Sequence, residues 1–288
     1  AGLPGLTLLT CDNLADNGAK LARLMGEYLD RHDPALLHWF EAECACPATM
    51  VDRIVPATTA ADRIAAAEAL GELRDEAAVM TEPFSQWVIE DRFAGPRPRW
   101  EAVGAQLVGD VRAYETAKLR MLNGAHSLLA YVGLARGHSF VHQAVADPAI
   151  AALVETLMRQ EAAPTIQAAP GQNLAAYAEA LIARFANPAL EHRLIQIAMD
   201  GSQKLPQRWL ETLAANRREG RDCPAILTGI TAWIKHLRGG NGPVDDPRAE
   251  ELGKAGSGPD PLAALFAGGG LLASAWIPSE TDRAALTI

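Results

Sequence analysis

From Val111 onward the sequence is written almost entirely in helix signals, and this limits the possible folds more than any other feature. Asp147-Pro148 joins an N-cap residue to a proline at the first helical position, and Ile150, Leu153, Val154, Leu157 and Met158 behind it share one apolar face. Asn173 precedes a second stripe of Leu174, Tyr177, Ala178, Leu181, Ile182 and Phe185. Asn187-Pro188 is predicted to begin a third helix that stops near Gly201, and Pro206 to open a fourth. A fifth contains Ile226, Leu227, Ile230, Trp233, Ile234 and Leu237 and ends at Gly239-Gly240. Residues 111–288 are therefore expected to form an all-helical domain, with the Gly-, Pro- and Asp-rich run 239–260 as loop.

Residues 1–110 read differently. The runs 6–10, 51–55, 79–81 and 106–108 have the composition of short strands. Between the first two, Leu21, Leu24, Met25, Tyr28 and Leu29 recur at helical spacing, Asp33-Pro34 starts a second helix, and Thr59 opens a third, alanine-rich one. Strands separated by helices predict part of an α/β layer structure.

The composition narrows the function. With 49% hydrophobic residues in 288, a sizeable core can be buried. A net charge of -9 and no basic cluster of the kind a phosphate backbone requires argue against nucleic acid as a partner. No apolar run reaches the roughly 20 residues of a membrane span. The first residues lack a signal peptide and a Met, so the chain is expected to begin inside a longer protein. Cys11, Cys44, Cys46 and Cys223 form neither a disulfide framework nor a zinc-ligand spacing, and reduced structural thiols in a cytoplasmic protein are expected. Gly268-Gly269-Gly270 follows a helix-like segment rather than a strand, and no dinucleotide fingerprint occurs elsewhere.

One constellation could carry chemistry. Along Lys118-Leu-Arg-Met-Leu-Asn123-Gly-Ala-His126, with Glu115 one turn earlier, helical geometry places Glu115, Lys118 and His126 within an arc of about 80°, and Asn123 about 60° further on. An amine, an imidazole, an amide and a carboxylate facing one cleft suit alcohol–ketone interconversion without a metal. Lysine can act as base once burial lowers its pKa, and the N–H groups of Asn and His can steady a developing oxyanion. The same spacing also describes an ordinary solvated helix face. Two further segments are candidates: the junction 199–208, where Lys204 and Arg208 could reach an anion, and the strand-end sequences around Asn13 and Asp52. Each has an equally simple structural reading, as a polar connector or an Asx turn.

Five ordered strings turn these fragments into a resemblance: Thr10-Cys-Asp-Asn13-Leu-x-x-Asn17-Gly18, Met50-Val-Asp-Arg-Ile54, Glu82-Pro-Phe-x-Gln-Trp87-Val-x-Glu-Asp91, Lys118 to His126, and Ala198 to Arg208. Over about residues 5–238 the chain resembles the mannitol dehydrogenase or fructuronate reductase family of polyol-specific long-chain dehydrogenases. The resemblance implies a mainly α fold: an all-helical catalytic domain preceded by the α/β tail of a Rossmann-type NAD-binding domain. It implies Lys118 as catalytic acid/base, Asn13 and Asn123 as the oxyanion hole, and His126 on the reacting hydroxyl. Glu115 would sit beside the lysine, Asp52 near substrate or nicotinamide, and Lys204 on substrate hydroxyls. Arg208 is the candidate for a substrate carboxylate, through its planar fork.

The implied cofactor is NAD, with NADP left open, and no metal is required. The segment around Gln196 is most similar to the fructuronate reductase branch, which favours a hexuronate (D-mannonate and D-fructuronate) over a neutral polyol such as mannitol. Two departures accompany the likeness. The family's N-terminal nucleotide-binding fold, with its glycine-rich turn, is expected to be missing, and the chain follows the family poorly after about Gly239. A helical binding module that has lost catalysis is the alternative of another class.

Overall fold

The computed structural model describes residues 3–272 and 274–286. The chain falls into two units, residues 1–54 with 82–116, and residues 55–81 with 117–288.

The first unit is built on a three-stranded sheet, β1 (Thr49–Asp52), β2 (Gln86–Glu90) and β3 (Gln106–Val108), in the order β1-β2-β3. β1 pairs antiparallel with β2, whereas β2 and β3 run parallel. Val88 and Ile89 at the centre of β2 are fully buried. Two helices precede the sheet, α1 (Asn17–His32) and α2 (Pro34–Glu43), and Asp33 caps the second by accepting from Leu36 N as Pro34 enters its first turn. Leu29, Phe40 and Cys46 form a small core with Leu21, Met25 and Leu37 around it, while Leu24 and Tyr28, read as part of the same stripe, are exposed.

Only the last of the four predicted strands is a strand as read. Residues 6–10 make a single parallel bridge, Thr7 with Ala45. The run 51–55 is displaced to Thr49–Asp52 because Ile54 N turns away to donate to the Glu82 carboxylate at 2.6 Å. Residues 79–81 are irregular. β2, a five-residue run, was not read as a strand. Strands of three to five residues offer too few alternations for periodicity to show.

Residues 55–81 leave the first unit through a narrow neck. Beside the Ile54–Glu82 bond, Glu82 N donates back to Ile54 O at 3.4 Å and Arg53 Nε to Glu82 O at 3.1 Å. Within this excursion, α3 (Ala60–Ala69) starts at Thr59 with a reciprocal Thr59–Asp62 capping box.

The rest of the second unit is helical. After α4 (Arg112–Ala117), which counts with the first unit up to Thr116, the chain widens to π geometry over Lys118–Asn123 and continues as α5 (Gly124–Ala135). Residues 121–133 are all buried, so α5 is enclosed on every side and central, its polar His126 and Ser127 included. Around it lie α6 (Val141–Ala146), α7 (Pro148–Thr156), α8 (Leu174–Phe185), α9 (Leu194–Ile197), α10 (Gly201–Leu205), α11 (Glu211–Arg218) and α12 (Pro224–Leu237), followed by α13 (Ala249–Ser257), α14 (Pro261–Phe266) and α15 (Glu280–Ala285). Two further π segments, Leu157–Ala162 and Pro206–Leu210, both pack on Lys118–Asn123. Glu161, at the end of one of them, is fully buried and caps α12 from outside. Its carboxylate accepts Ala225 N at 2.6 Å and Ile226 N at 2.9 Å.

The caps at Asp147 and Asn173 fall as predicted, but four predictions do not hold. No helix starts at Pro188. Asn187 closes an Asx turn on Ala189 N, and residues 192–194 are drawn into an antiparallel bridge with 139–141. Gly201 starts a helix rather than ending one, since Asp200 takes a left-handed φ of 55°, and a Cβ at Gly201 would lie 2.7 Å from both the Tyr131 hydroxyl and Trp233 Nε1. Pro206 lies inside the helical run 201–218, where π geometry tolerates its missing N–H. The expected loop 239–260 contains α13, whose large apolar anchor is Leu252.

In the first unit, Asn17 holds the loop that carries Asn13. Its Nδ2 donates to Asp12 O (2.9 Å), Thr49 O (3.0 Å) and Thr49 Oγ1 (3.1 Å), and its Oδ1 accepts Thr49 N at 2.9 Å. Thr49 Oγ1 in turn donates to Thr10 O at 2.5 Å. Gly18 lets α1 approach, because a Cβ there would meet Cys46 O at 2.6 Å and Ala48 N at 2.7 Å. Asn17→Ala strands Thr49 N–H and frees the loop. It is expected to lower stability by about 3 kcal/mol, read as a shift in the urea midpoint; an unchanged midpoint contradicts the clamp.

Candidate active site

The candidate residues divide between the two units. In the first, Asn13 lies in the exposed loop 11–16, fastened at its base by Asn17 and Thr49. Asp52 is the last residue of β1 and is buried. Glu115 is buried on α4, where its Oε1 accepts Asp16 N at 3.2 Å. Burial and then the charge of Asp16 push its carboxyl above the usual range, with Asp110 adding to the effect.

In the second unit, Lys118, Asn123 and His126 are 8%, 9% and 7% exposed, all on the π segment or the first turn of α5. The 100°-per-residue wheel does not hold here, because the ring closure between Lys118 and Asn123 is i→i+5. The His126 ring packs 4.8 Å from Phe185 and lies edge-on to His192 at 5.3 Å. His126 Nε2 is buried and has no hydrogen-bond partner, as is His192 Nδ1. Burial holds the His126 pKa well below its usual value, and His192 once protonated, with the charges of Arg208, Arg184 and Lys118, lowers it further. Burial alone takes His192 to about 4. Both imidazoles are therefore neutral at neutral pH.

Arg208 closes over the same helix. Its Nη1 donates to Ser127 Oγ at 2.9 Å and to Asn123 O at 3.3 Å, while its Nε is buried without a partner. The acidic residues before and after it in the same helical run pair with other cations, Glu211 with Arg120 at 3.4 Å and Asp200 with Lys204 at 3.7 Å. Burial lowers Arg208 to about 10, still cationic at neutral pH. Lys204 Nζ donates to Met199 O at 2.6 Å, and its pKa is lowered by burial and then by Arg208.

The second unit thus gathers Lys118, Asn123, His126, Arg208 and, beside them, Lys204. Asn13, Asp52 and Glu115 belong to the first. An amine, an amide and neutral imidazoles among nearby positive charges form a setting that favours a developing negative oxygen over a neutral one. Among the described residues, no group of three or more His, Cys, Asp or Glu is placed to hold a metal ion, and no helix is long and apolar enough to cross a membrane. A cavity of about 430 Å³ in the second unit takes in Thr58, Asp62, Met80, Arg193 and Gln196 but none of Lys118, Asn123 and His126.

Sequence reasoning missed His192, Phe185 and Arg184 around His126. His192 was hidden by the expected helix over 188–201, and Phe185 was read only as an apolar stripe residue. Asn17 stood in a quoted motif without a role, although an Asn directly before a Gly at a helix start is the available signal.

Known proteins match both units. The mannitol dehydrogenase C-terminal domain matches residues 110–262, and the mannitol dehydrogenase Rossmann domain matches residues 1–102. The first segment therefore counts as that Rossmann domain, and the expectation of a mere tail with the domain missing has no support from the match. D-mannonate oxidoreductase of Escherichia coli is 43% identical over 291 residues, covering 98% of this chain and 59% of that protein. The uncharacterized oxidoreductase YdfI of the same organism is 46% identical over 239 residues, covering 83% of this chain and 49% of the relative. Pseudomonas fluorescens mannitol 2-dehydrogenase, solved as a ternary complex with NAD and D-mannitol, superposes with a TM-score of 0.83 at 34% identity, over 99% of this chain and 59% of the other. The chain spans between about half and three-fifths of the length of these relatives. It belongs to the mannitol dehydrogenase family.

Proposed function

We propose that the chain forms the substrate-side part of an NAD-dependent oxidoreductase that interconverts a secondary alcohol and a ketone on a sugar acid or polyol, with D-mannonate and D-fructuronate as the favoured pair. The observation that carries this reading is the buried His126 Nε2 without a partner, near Lys118 and Asn123 and within reach of the charge of Arg208. A buried nitrogen left unpaired costs about 1–3 kcal/mol, and a substrate oxygen would satisfy it. Two relatives, one an oxidoreductase of D-mannonate and the other holding NAD and D-mannitol, support the same class.

In this reading residues 1–110 serve the cofactor side and residues 111–288 the substrate side. Lys118, as the neutral amine, takes the proton of the substrate hydroxyl. Asn123 and the Nε2–H tautomer of His126 donate to the oxygen as its charge grows, and Asn13 completes that set. Glu115, three residues before Lys118 and with its carboxyl pKa raised, passes the proton toward solvent. Lys204 binds substrate hydroxyls.

For the dinucleotide the fit is partial. Asn13, on a loop fixed at its base, and Asp52, at a strand end, offer polar groups suited to the nicotinamide end. A glycine-rich turn for the pyrophosphate is absent from the sequence. When bound, NAD supplies the hydride acceptor; NADP is the alternative. The four free thiols fit a reducing compartment, the cytoplasm.

Arg208 favours the hexuronate over mannitol. A half-buried guanidinium with no carboxylate partner is suited to a carboxylate brought by the substrate. The non-catalytic alternative predicts no NADH binding, which a fluorescence titration decides.

Three outcomes follow from the site. In the cofactor-supplied protein, Lys118→Ala is expected to lower turnover by at least about a hundredfold, and near-normal turnover removes Lys118 from the mechanism. Arg208→Met is expected to lose about 2–3 kcal/mol of transition-state binding on fructuronate but not on fructose. Equal losses on both assign Arg208 to structure. The third outcome concerns pH. The folded pKa of His192 lies near 4 against an ordinary 6.5, so its contribution to stability is present above pH 6.5 and is lost as the unfolded chain takes up protons on acidification. Thermal melts of His192→Phe should fall less steeply than wild type between pH 6.5 and 4; parallel curves would exclude His192 as a source of acid lability.

A further inference from the structure

The helix that carries Lys204 and Arg208 starts with backbone help alone from its cap residue: Asp200 O accepts Gln203 N at 3.1 Å and Lys204 N at 3.0 Å. Asp200, at φ 55° and ψ 37°, makes no side-chain bond to the backbone N–H groups of the first turn. The orphan N–H groups of a helix start need acceptors, and here they come from a loop far along the chain. Asp246 Oδ2 accepts Ser202 N at 2.8 Å, and Asp246 Oδ1 accepts Ser202 Oγ at 2.7 Å. Asp245 O accepts Asp200 N at 2.9 Å. The same Asp246 Oδ1 accepts Arg248 N at 2.9 Å, and Asp246 O accepts Ala249 N at 3.0 Å, which ties the loop to the start of α13.

Two more contacts fasten the junction from other sides. Tyr131, on the central helix, donates its hydroxyl to Ala198 O at 3.0 Å, and Gly201 lies flush against Tyr131 and Trp233. The start of α10 is thus fixed in height by the Tyr131–Trp233 wall and in rotation by the Asp246 carboxylate. Lys204 follows one turn after Gly201, and Arg208 one turn after Lys204. A rotation of the first turn therefore moves both cations together, and it strains the Arg208 bonds to Ser127 and Asn123.

We infer that Asp246 is a positioning residue for the substrate site: it sets the rotation of the helix from Gly201 through Arg208, and so the direction in which Lys204 and Arg208 meet a sugar acid. It touches neither substrate nor reacting atoms. The inference rests on the proposed function only for the identity of what Lys204 and Arg208 bind.

The test uses Asp246→Ala and the gentler Asp246→Asn, which keeps one acceptor, in the cofactor-supplied protein. In Asp246→Ala the KM for fructuronate is expected to rise about tenfold with kcat within about threefold, and Asp246→Asn to show a smaller rise in the same direction. In an Arg208→Met background, Asp246→Ala should raise KM by less than about twofold, since residues acting through one helix do not add. Amide hydrogen exchange at residues 203–209 should quicken by about tenfold in either variant, whatever the substrate proves to be. An unchanged KM in a folded variant, a loss confined to kcat, additive effects in the double variant, or unchanged exchange at 203–209 each overturns the inference. If Asp246→Ala does not fold, Asp246→Asn decides by the same readouts. A wild-type protein that turns over no sugar acid or polyol defeats the proposed function instead, and the exchange measurement then still decides on Asp246.

Discussion

Trp209 donates its indole N–H to the carbonyl of Gly124 at 3.0 Å, and the second unit is organised around the place where this happens. Gly124 is the first residue after the π segment Lys118–Asn123, where the backbone is widest and its carbonyls are least served by their own helix. A Cβ at Gly124 would lie at ordinary contact distance, 3.5 Å, from both Arg208 O and the Leu157 side chain, each from one of the other π segments. Three widened turns therefore meet at one glycine. The side chains with the most chemistry, Lys118, Asn123, His126 and Arg208, lie within one or two turns of that meeting point. Replacing the Trp209 bond would disturb the backbone from which these groups project, not merely the packing.

The buried charge of the site depends on the same packing. Water-poor surroundings keep both imidazoles neutral and bring Arg208 down to about 10. In such surroundings each fixed dipole counts for more than it would at the surface. Residues contributing little by contact, such as Phe185 against His126, matter because they keep solvent away. The electrostatics of these residues follow from burial as much as from contact: cations and neutral donors share one water-poor region.

Much of this was legible in the sequence, and the pattern of what was not has physical causes. Helix starts with an N-cap and proline, at Asp33 and Asp147, were read correctly because capping is local and needs no partner from elsewhere. The helix of Lys118 was placed correctly, but its π geometry was not, because nothing in Lys-Leu-Arg-Met-Leu-Asn distinguishes a widened turn from an ordinary one. Asn187-Pro188 carries the same local signal as Asp147-Pro148. It failed because residues 192–194 found a better partner in 139–141, a tertiary bond that no local rule contains. The start of α10 failed for the same reason, since its cap lies at Asp246. The candidate residues themselves came from ordered motifs, whereas His192 and Arg184 belong to no motif and are visible only once the chain is folded around His126.

The neck between Ile54 and Glu82 has a consequence for the freedom of the family to vary. The bonds Ile54 N to Glu82 Oε1, Glu82 N to Ile54 O and Arg53 Nε to Glu82 O close the chain on itself before residues 55–81 begin. The antiparallel register of β1 and β2 is settled on the sheet side of that closure. Lengthening the excursion to twice its size would cost only about 0.6 kcal/mol of additional closure entropy. The strands that anchor Asp52 can therefore keep their register whatever the length of residues 55–81, provided Glu82 is kept, whereas Thr58, Asp62 and Met80 within that excursion are bound to the cavity they share with Arg193 and Gln196.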